Sequence, residues 1–279
     1  MLPDEIIEGL KQTTHAAADA ALKWKGREDK NNADKAAVDA MREHLNNINF
    51  SARIFIGEGE KDKAPMLFAG EELGKGDAEY DLVVDPLEGT TNLSLGLENS
   101  MSVIVIGKRG CFLDVGDFHY MEKLAVRCNA NIDITKSVDD NLKAVAEKFG
   151  KDISELVVCT QDRPRHKKLI EEIKKTGAKL KLIESGDIGY ILSDDIDVLW
   201  GIFGAPEGII IAVALKVMGG QMQGILKHKE EWVPYNERIN KEQILKIDDM
   251  IKCSDVAFVA TGITEGPFLK SFETKILRC

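Results

Sequence analysis

Basic residues are outnumbered in this sequence, and that shortage excludes several kinds of partner. The chain has 37 Lys and Arg against 47 Asp and Glu, which gives a formal net charge of -10 at pH 7. A general nucleic-acid binder, or a protein that lies on an anionic membrane, needs an exposed basic surface that this composition does not supply. An anionic substrate therefore requires a local positive site, made by metal ions or by a few well-placed arginines.

Long apolar runs, targeting segments and paired cysteines are also missing. The most apolar stretch, GIIIAVAL, is far too short to cross a bilayer, and the acidic start MLPDEIIEGL shows neither a secretory signal nor a transit peptide. The five cysteines are irregularly spaced and include no CxxC pair, which predicts reduced thiols in a cytoplasmic protein. Neither a P-loop nor a strand-linked GxGxxG occurs, so nucleotide-dependent kinase or dehydrogenase chemistry has no anchor.

Helix and strand patterns share the 279-residue chain, whose length suits one large or two closely joined domains. Strand-like segments at residues 101–107, 111–116 and 122–128 together predict an antiparallel sheet region. After them the patterns alternate, beginning with a helix that we expect to run from a cap at Ser137 to Gly150. We therefore predict a layered α/β protein in which two sheets share the helices between them.

Two carboxylates follow a buried-looking strand in the stretch DLVVDPLEGTTN, at Asp85 and Glu88. Pro86 fixes its backbone angle and a glycine follows, so this tight turn can aim both carboxylates at one point. Two converging carboxylates repel unless a cation lies between them, which favours a hard metal such as Mg²⁺ or Mn²⁺. The alternative is a solvated turn, because Asp, Pro and Gly are typical turn residues. We expect Asp81 and Thr91 in the same stretch to be structural.

Three further carboxylates are candidates for the same metal chemistry. Glu58 lies between two glycines in the loop GEGE, where small neighbours let a carboxylate approach a ligand closely. Asp34 is expected in the first turn of a helix that begins near Ala33, and Glu207 at the second position of a helix that begins with PEG. Because acidic residues at helix starts complement the helix dipole, Asp34 and Glu207 keep that structural interpretation as an alternative.

A positive counterpart occurs in the stretch DRPRH, between a predicted strand and a predicted helix. Arg163 and Arg165 lie where guanidinium groups and free helix amides can hold a phosphate, although a solvated basic loop explains them equally well. Asp187, beside a glycine in ESGDIG, is placed to accept hydrogen bonds from hydroxyl groups, or belongs to an ordinary turn. The five histidines lack metal spacing, and only His166, beside Arg165, is a candidate for approaching a substrate.

Taken together, DPLEGTTN, GEGE, DRPRH and GAPEG make the sequence resemble the class II fructose-1,6-bisphosphatases, a bacterial-type family that often also hydrolyses sedoheptulose 1,7-bisphosphate. Blocks in family order run from about residue 31 to 264: NNADKAAVDAMR, IGEGEKDKAPML, VVDPLEGT, YMEKL, DRPRH, GAPEG, GGQMQG and ATGIT. DPLEGT alone indicates only the wider superfamily of lithium-sensitive, metal-dependent sugar and inositol phosphatases. The resemblance implies the sugar-phosphatase fold, an α/β/α/β/α arrangement in which helices sandwich two mixed sheets.

The resemblance also implies two domains with separate tasks. We predict an α+β metal-binding domain at residues 1–134 and an α/β domain at residues 135–279 that binds the sugar phosphate. The chain ends with SFETKILRC, where members of the family typically continue through another strand-rich segment. Family members of this type further imply a homo-oligomer.

The site residues implied by the resemblance fall into two groups. Those implied to hold two or three Mg²⁺ or Mn²⁺ ions are Asp34, Glu58, Asp85, Glu88 and Glu207. Those implied to contact the substrate are Glu88, Gly89, Thr90, Tyr120, Arg163, Pro164, Arg165, Ser185, Gly186, Asp187 and Gly204. Glu58 and Thr90 are the implied catalytic residues, because they position the attacking water. Ser185 stands where relatives usually have an aspartate, which removes one acceptor for sugar hydroxyls.

The predicted activity is hydrolysis of the 1-phosphate of fructose 1,6-bisphosphate, a gluconeogenic reaction in which metal ions activate a water and neutralise phosphate oxygens. Two alternatives stay open: another phosphatase of the superfamily, acting on inositol monophosphate or a nucleotide 3′-phosphate, and a non-catalytic sugar-phosphate sensor. The pair Asp195 and Asp197 loosely matches the DxD of haloacid-dehalogenase-type phosphatases, but Leu199 stands where Thr or Val is expected. We therefore expect that pair to be the start of a strand.

Overall fold

The computed structural model describes residues 1–57, 67–75, 79–228 and 243–279 of the chain. The helices in this part are α1 (Asp4–Leu22), α2 (Lys30–Leu45), α3 (Thr90–Ser94), α4 (Val138–Phe149), α5 (Lys167–Thr176), α6 (Asp187–Ile191), α7 (Ala205–Met218) and α8 (Ile247–Met250). The strands are β1 (Ser51–Ile56), β2 (Glu72–Gly74), β3 (Glu79–Glu88), β4 (Met101–Lys108), β5 (Tyr120–Val126), β6 (Val157–Gln161), β7 (Lys179–Ile183), β8 (Val198–Gly204), β9 (Gln221–Lys227), β10 (Leu245–Lys246), β11 (Val256–Gly262) and β12 (Thr274–Arg278).

Local sequence explains where several helices begin and end. Asp29 caps α2 by accepting a hydrogen bond from the backbone amide three residues on, so this helix begins at Lys30 rather than near Ala33 as predicted. Ser137 caps α4 in the same way, and a left-handed Gly150 ends it, which confirms the predicted limits of that helix.

One compact unit comprises Met1–Asp114 and Ile251–Cys279. Its sheet has the strand order β12-β11-β4-β3-β1-β2, with β1 parallel to β3 and the other neighbouring pairs antiparallel. Buried apolar side chains of α1 and α2 join those of β1, β3, β4 and β11 in one core. β3 therefore lies inside the sheet, held by β4 and β1 on its two sides, and its end is well fixed.

The second compact unit comprises Val115–Met250. Its sheet has the order β10-β9-β5-β8-β6-β7; β5 is antiparallel to β8 and β9, whereas β6 is parallel to β7 and β8. Most of α7 is buried, as its nearly continuous apolar sequence requires. Among the described residues, no helix is long and apolar enough to cross a membrane.

Two mixed sheets accompanied by helices confirm the predicted α/β class, but two strand predictions are wrong. Residues 101–107 and 122–128 fall in β4 and β5, which belong to different sheets rather than to one antiparallel region. Residues 111–116 form no strand, and Phe112 makes only an isolated bridge to Ile251. An apolar run identifies a strand without identifying its partner, because pairing depends on contacts far apart in sequence.

The compact units also differ from the predicted division of the chain at residues 134 and 135. β5 lies before that boundary, yet it pairs with β8 and β9 in the second unit. β11 and β12 lie near the other end of the chain, yet β11 pairs with β4 in the first unit. A chain that leaves a unit and returns to it has no single boundary in sequence.

Cys111 and Cys253 form a disulfide, with their Cα atoms 5.2 Å apart. The prediction that all five cysteines are reduced is therefore wrong, and the free ones are Cys128, Cys159 and Cys279. The bridge joins the segment after β4 to the segment before β11, and these two strands are neighbours in the sheet. Because 142 positions separate the two cysteines, their spacing gives no sign of the pairing.

Candidate active site

The end of β3 carries two carboxylates that converge. Pairing with β4 is irregular between Asp85, opposite Val103, and Glu88, opposite Met101, so β3 has one extra residue there. Residues three apart on a regular strand face opposite sides, and one added residue brings them to the same side. The ligand oxygens of Asp85 and Glu88 accordingly lie within 4.8 Å of each other. The predicted convergence is observed, whereas the role of these side chains is still a prediction.

Gly89 turns the chain from β3 into α3. Its φ of 82° lies in the left-handed region, and a Cβ at this position would lie 2.7 Å from the carbonyl oxygen of Asn99. Any other residue would therefore be both strained and too close to a backbone atom. Ser100 Oγ donates a hydrogen bond to the Gly89 carbonyl at 3.0 Å and holds the turn in place. The backbone conformation and the lack of space therefore explain why a glycine occupies position 89.

Thr90 is the first residue of α3, and its side chain bonds back to the end of β3. Thr90 Oγ1 donates to the Leu87 carbonyl oxygen at 2.9 Å. Because the proton is engaged there, the hydroxyl oxygen presents its lone pairs as acceptors. The neighbouring Thr91 Oγ1 accepts a hydrogen bond from Lys30 Nζ at 2.9 Å, which links α3 to α2. Thr90 is therefore oriented as an acceptor, and Thr91 makes a structural contact.

Asp81, earlier on β3, is neutralised within the protein. It is fully buried, and its two oxygens accept hydrogen bonds from Arg53 Nε at 3.0 Å and Nη2 at 3.1 Å. The Gly110 amide donates a third hydrogen bond at 2.7 Å. A guanidinium fork of this kind satisfies a buried carboxylate. These contacts support the structural role that the sequence suggests for Asp81.

Asp34 lies in the second turn of α2, because that helix begins at Lys30. The helix-dipole explanation applies to the first turn, so it loses force for this residue. Asp34 is half-buried, and burial raises the pKa of its carboxyl. Glu58, the other predicted carboxylate from this half of the chain, lies outside the described residues.

Glu207 is the third residue of α7, not the second, and its side chain folds back over the start of the helix. A Cβ on Gly204, the capping residue, would overlap the Glu207 carboxylate, so Gly204 provides the space that this carboxylate occupies. Glu207 Oε2 is buried and has no hydrogen-bond partner among the described residues. Burial raises the pKa of this carboxyl, while Lys123 opposes the rise and Asp187 adds to it.

The carboxylates of both units suit a hard divalent cation. Carboxylate oxygens are the ligands that Mg²⁺ and Mn²⁺ prefer. The raised pKa of Asp34 in the first unit and the unpartnered oxygen of Glu207 in the second are both penalties that a nearby cation removes. Taken separately, the carboxylates of each unit therefore have the chemistry that a divalent metal requires, without distinguishing one such ion from another.

Tyr120 and Arg165 lie together at one end of the second sheet. Tyr120 begins β5 and pairs with Gly204 on β8. The guanidinium carbon of Arg165 lies 6.0 Å from the centre of the Tyr120 ring. Arg165 Nε donates to the Ile202 carbonyl at 3.1 Å and Nη2 donates to Gln161 Oε1 at 2.8 Å, which fixes the guanidinium group. Three residues predicted to contact a substrate are thus close together.

The turn Pro164–His166 is 3₁₀, and α5 begins only at Lys167, after both arginines. Arg163 is bound to the segment that follows β7. Its Nη1 donates to Glu184 Oε2 at 3.0 Å and its Nη2 donates to the Glu184 carbonyl at 2.9 Å. Arg163 therefore joins the DRPRH loop to the loop that contains Ser185, both of which were predicted to contact a substrate.

Lys123 is a residue of this region that the sequence did not single out. Gly186, in the left-handed conformation, lets α6 begin at Asp187, and that carboxylate accepts a hydrogen bond from Lys123 Nζ at 3.1 Å. Lys123 is fully buried in β5. The only signal in the sequence is a lysine inside the strand YMEKLAV, which resembles an ordinary half-exposed strand.

His166 and Asp197 have structural roles. His166, the one histidine that was a candidate for approaching a substrate, is fully buried; its Nε2 accepts a hydrogen bond from the Ile202 amide at 2.8 Å. The neutral ring therefore carries its proton on Nδ1, which donates to the Gln161 carbonyl at 2.9 Å. Asp197 is buried and binds Lys151 Nζ at 2.7 Å, whereas Asp195 is exposed, and the pair lies just before β8, close to the predicted strand start.

Comparison with known proteins gives one family and close relatives. A family model described as bacterial fructose-1,6-bisphosphatase, glpX-encoded, matches residues 4–276. Fructose-1,6-bisphosphatase 1 class 2 of Escherichia coli (strain K12) and fructose-1,6-bisphosphatase class 2 of Shigella flexneri are each 40% identical over 296 residues, which cover 97% of this chain and 88% of the relative. Among solved structures, the extragenic suppressor protein suhB from Bartonella henselae matches with a TM-score of 0.42 and 14% sequence identity. The match covers 70% of this chain and 74% of the suhB chain. That structural likeness is too low to carry weight here.

Proposed function

Because the chain belongs to the bacterial fructose-1,6-bisphosphatase family, we propose that it hydrolyses the 1-phosphate of fructose 1,6-bisphosphate to fructose 6-phosphate and phosphate. The observation that carries the proposal is the convergence of Asp85 and Glu88 at the end of β3, directly before the acceptor hydroxyl of Thr90. Sedoheptulose 1,7-bisphosphate is a second substrate within the proposal, since it carries a phosphate ester of the same kind.

The metal ligands in this proposal are carboxylates that the family resemblance assigns. They are Asp34, Glu58, Asp85, Glu88 and Glu207. We propose that they bind Mg²⁺ or Mn²⁺, two or three ions per active site. When bound, such ions lower the pKa of a coordinated water and neutralise the oxygens of a phosphate ester.

We propose that Thr90 positions the attacking water. Its proton is engaged by the Leu87 carbonyl, so its oxygen accepts a hydrogen bond from the water and turns a water lone pair toward phosphorus. Glu58 shares this positioning role in the proposal, and Glu88 and Gly89 contact the same phosphate. No side chain is proposed to form a covalent intermediate.

The distal phosphate and the sugar are assigned to the second unit. Arg165, fixed beside Tyr120, and Arg163 are proposed to bind the distal phosphate, because a guanidinium group offers two parallel donors to phosphate oxygens. Asp187 is proposed to accept hydrogen bonds from the sugar hydroxyls. Binding energy gained at these groups helps the chemistry by locating the reacting phosphorus.

A phosphate-release assay tests the function directly. The substrates are fructose 1,6-bisphosphate, sedoheptulose 1,7-bisphosphate, inositol monophosphate and a nucleotide 3′-phosphate, each assayed with Mg²⁺, Mn²⁺ or EDTA. We expect the sugar bisphosphates to be preferred and EDTA to abolish release. Phosphate release that survives EDTA would overturn the metal assignment. A preference for inositol monophosphate or for the nucleotide would indicate another phosphatase of the superfamily. Absence of release from every ester would indicate a non-catalytic sensor.

Divalent metal should stabilise the protein more at high pH than at low pH. Burial raises the pKa of Asp34 and of Glu207 in the metal-free folded chain. The folded state therefore binds these protons more tightly than the unfolded chain, and the two carboxyls lower stability as the pH rises through their raised pKa values. A bound cation removes that penalty, whereas at low pH protons compete with it.

Thermal unfolding with and without Mn²⁺, at about pH 8 and about pH 5.5, measures this effect. We expect a larger rise in unfolding temperature at the higher pH. The double variant Asp34→Asn with Glu207→Gln is the control and should lose most of the difference. Equal shifts at both pH values in the unmodified chain would contradict the prediction.

Replacing Arg165 by alanine should raise KM for fructose 1,6-bisphosphate by about 10- to 100-fold, the value of one or two hydrogen bonds to a charged group. A generic aryl phosphate has no second phosphate, so its KM should change little. Lys167→Ala, an exposed cation at the start of α5, is the matched control. Equal losses on both substrates would show that Arg165 supports the fold, through Ile202 and Gln161, rather than the distal phosphate.

We also propose a cytoplasmic location and a homo-oligomer. Both proposals rest on the family to which the chain belongs. The Cys111–Cys253 disulfide is the observation that opposes a reducing compartment, because such bridges are rare in the cytosol. Gel filtration with light scattering tests the oligomeric state, and thiol titration of protein from freshly lysed cells tests whether the bridge forms there.

A further inference from the structure

Lys123 is a fully buried lysine in the middle of the second sheet. Its Nζ lies 3.1 Å from Asp187 Oδ2, and the Asp187 side chain is 7% exposed. The ammonium also lies over the Phe203 ring, 5.3 Å from its centre, where a cation is attracted by the ring face. A buried ammonium requires partners of this kind because its desolvation is otherwise costly.

Lys123 has glycine neighbours on three elements. Its cross-strand neighbours are Gly201 on β8 and Gly224 on β9, so no side chain stands beside it on either adjacent strand. Above it, a Cβ on Gly208 of α7 would lie 3.3 Å from Lys123 Cε, which is tighter than an ordinary contact. Gly208 thus leaves room for the Lys123 side chain, which reaches the first residue of α6.

We propose that Lys123 is a positioning residue, whose ammonium holds the Asp187 carboxylate in the orientation that accepts hydrogen bonds from the hydroxyl groups of a sugar bisphosphate. The inference rests on the proposed function, in which Asp187 contacts the sugar. Lys123 has no exposed surface, so it acts through Asp187 and not on the substrate itself. The ion pair uses Oδ2, and we assign the sugar hydroxyls to Oδ1.

The variant Lys123→Met tests this role, since methionine has a similar length and no charge. We expect KM for fructose 1,6-bisphosphate to rise about tenfold or more, with kcat changed less than about threefold. For an aryl phosphate, which has no hydroxyls to offer Asp187, kcat/KM should change less than about threefold. Asp187→Asn should show the same selective rise, and the double variant should show no further loss, because both changes remove one interaction.

A matched control is Lys151→Met, which removes an ion pair with another buried carboxylate of the same unit, Asp197. It should leave KM for both substrates unchanged. The proposal is overturned if Lys123→Met leaves KM for the bisphosphate unchanged, or if it lowers activity equally on both substrates. It is also overturned if the losses of Lys123→Met and Asp187→Asn are additive, or if Lys151→Met has the same selective effect.

Two further outcomes separate this inference from the proposed function. If the unmodified protein cleaves the aryl phosphate but not the bisphosphate, the proposed function fails. The shifts in unfolding temperature of the Lys123 and Asp187 variants then decide whether Lys123 positions Asp187. Non-additive shifts support the pairing, and additive shifts overturn it. If Lys123→Met does not fold, the double variant decides in the same way, because recovered folding supports the pairing and continued unfolding contradicts it.

Discussion

Replacing Asp85 by asparagine should lower kcat for fructose 1,6-bisphosphate by about 100-fold or more while the protein remains folded. Asparagine keeps the size of the side chain and one carbonyl oxygen, but it removes the negative charge beside Glu88. The ligand oxygens of these residues lie within 4.8 Å of each other, a separation suited to a shared cation. With one charge fewer, Asp85 and Glu88 would hold a divalent cation less firmly, and small misplacements of reacting groups have effects of this size.

The matched control for this prediction is four residues earlier on the same strand. Asp81 is fully buried and bound by Arg53 and by the Gly110 amide, so Asp81→Asn should lower the free energy of unfolding by about 2 kcal/mol. The folded fraction of that variant should keep kcat within about threefold of the unmodified enzyme. Steady-state kinetics and urea unfolding of both variants measure the contrast. If Asp85→Asn retains full turnover, or loses stability instead, the metal assignment at the end of β3 is wrong.

The sequence predicted correctly that Asp85 and Glu88 converge, but it identified only part of the cause. Pro86 and the following glycine indicate a tight turn, and that much is local information. The observed cause is an added residue in β3 relative to β4, which turns Glu88 to the side of Asp85. A bulge depends on the register of a partner strand, so no pattern within β3 itself reveals it.

Local signals were reliable for helix limits and unreliable for long-range pairing. The cap at Ser137 and the terminal Gly150 predicted α4 correctly, because capping is settled within one turn. The disulfide between Cys111 and Cys253 and the separation of β4 from β5 were missed, because both depend on how distant segments pair. Ordered family blocks supplied the sheet architecture that periodicity alone did not determine.

Lys123 shows a different limit. A lysine in a strand predicts an exposed position, since most lysines are exposed. Its cross-strand partners are Gly201 and Gly224, and Gly208 leaves room for its side chain; these glycines are distant in sequence and have no shared motif. Gly204 is similar: the resemblance assigned it to substrate contact, and the structure adds that it makes room for the Glu207 carboxylate.

Replacing Thr90 by valine should lower kcat by about 10²- to 10⁴-fold, the usual contribution of a group that assists proton transfer. Valine has nearly the same shape, so the change removes the hydroxyl and its 2.9 Å hydrogen bond to the Leu87 carbonyl without emptying the site. Thr90→Ser keeps the hydroxyl and is the control; it should retain kcat within about tenfold, because the missing methyl group only loosens the rotamer.

The pH profile of Thr90→Val distinguishes an acceptor for the water from a structural residue. If the hydroxyl orients the water, raising the pH increases the fraction of hydroxide and should recover part of the lost kcat. A loss of unfolding temperature with a proportional loss of activity at every pH would instead mean that the hydrogen bond to Leu87 only holds the start of α3. Because Thr91 is attached to Lys30 independently, α3 keeps that anchor in the variant, and we expect the loss to appear in turnover rather than in stability.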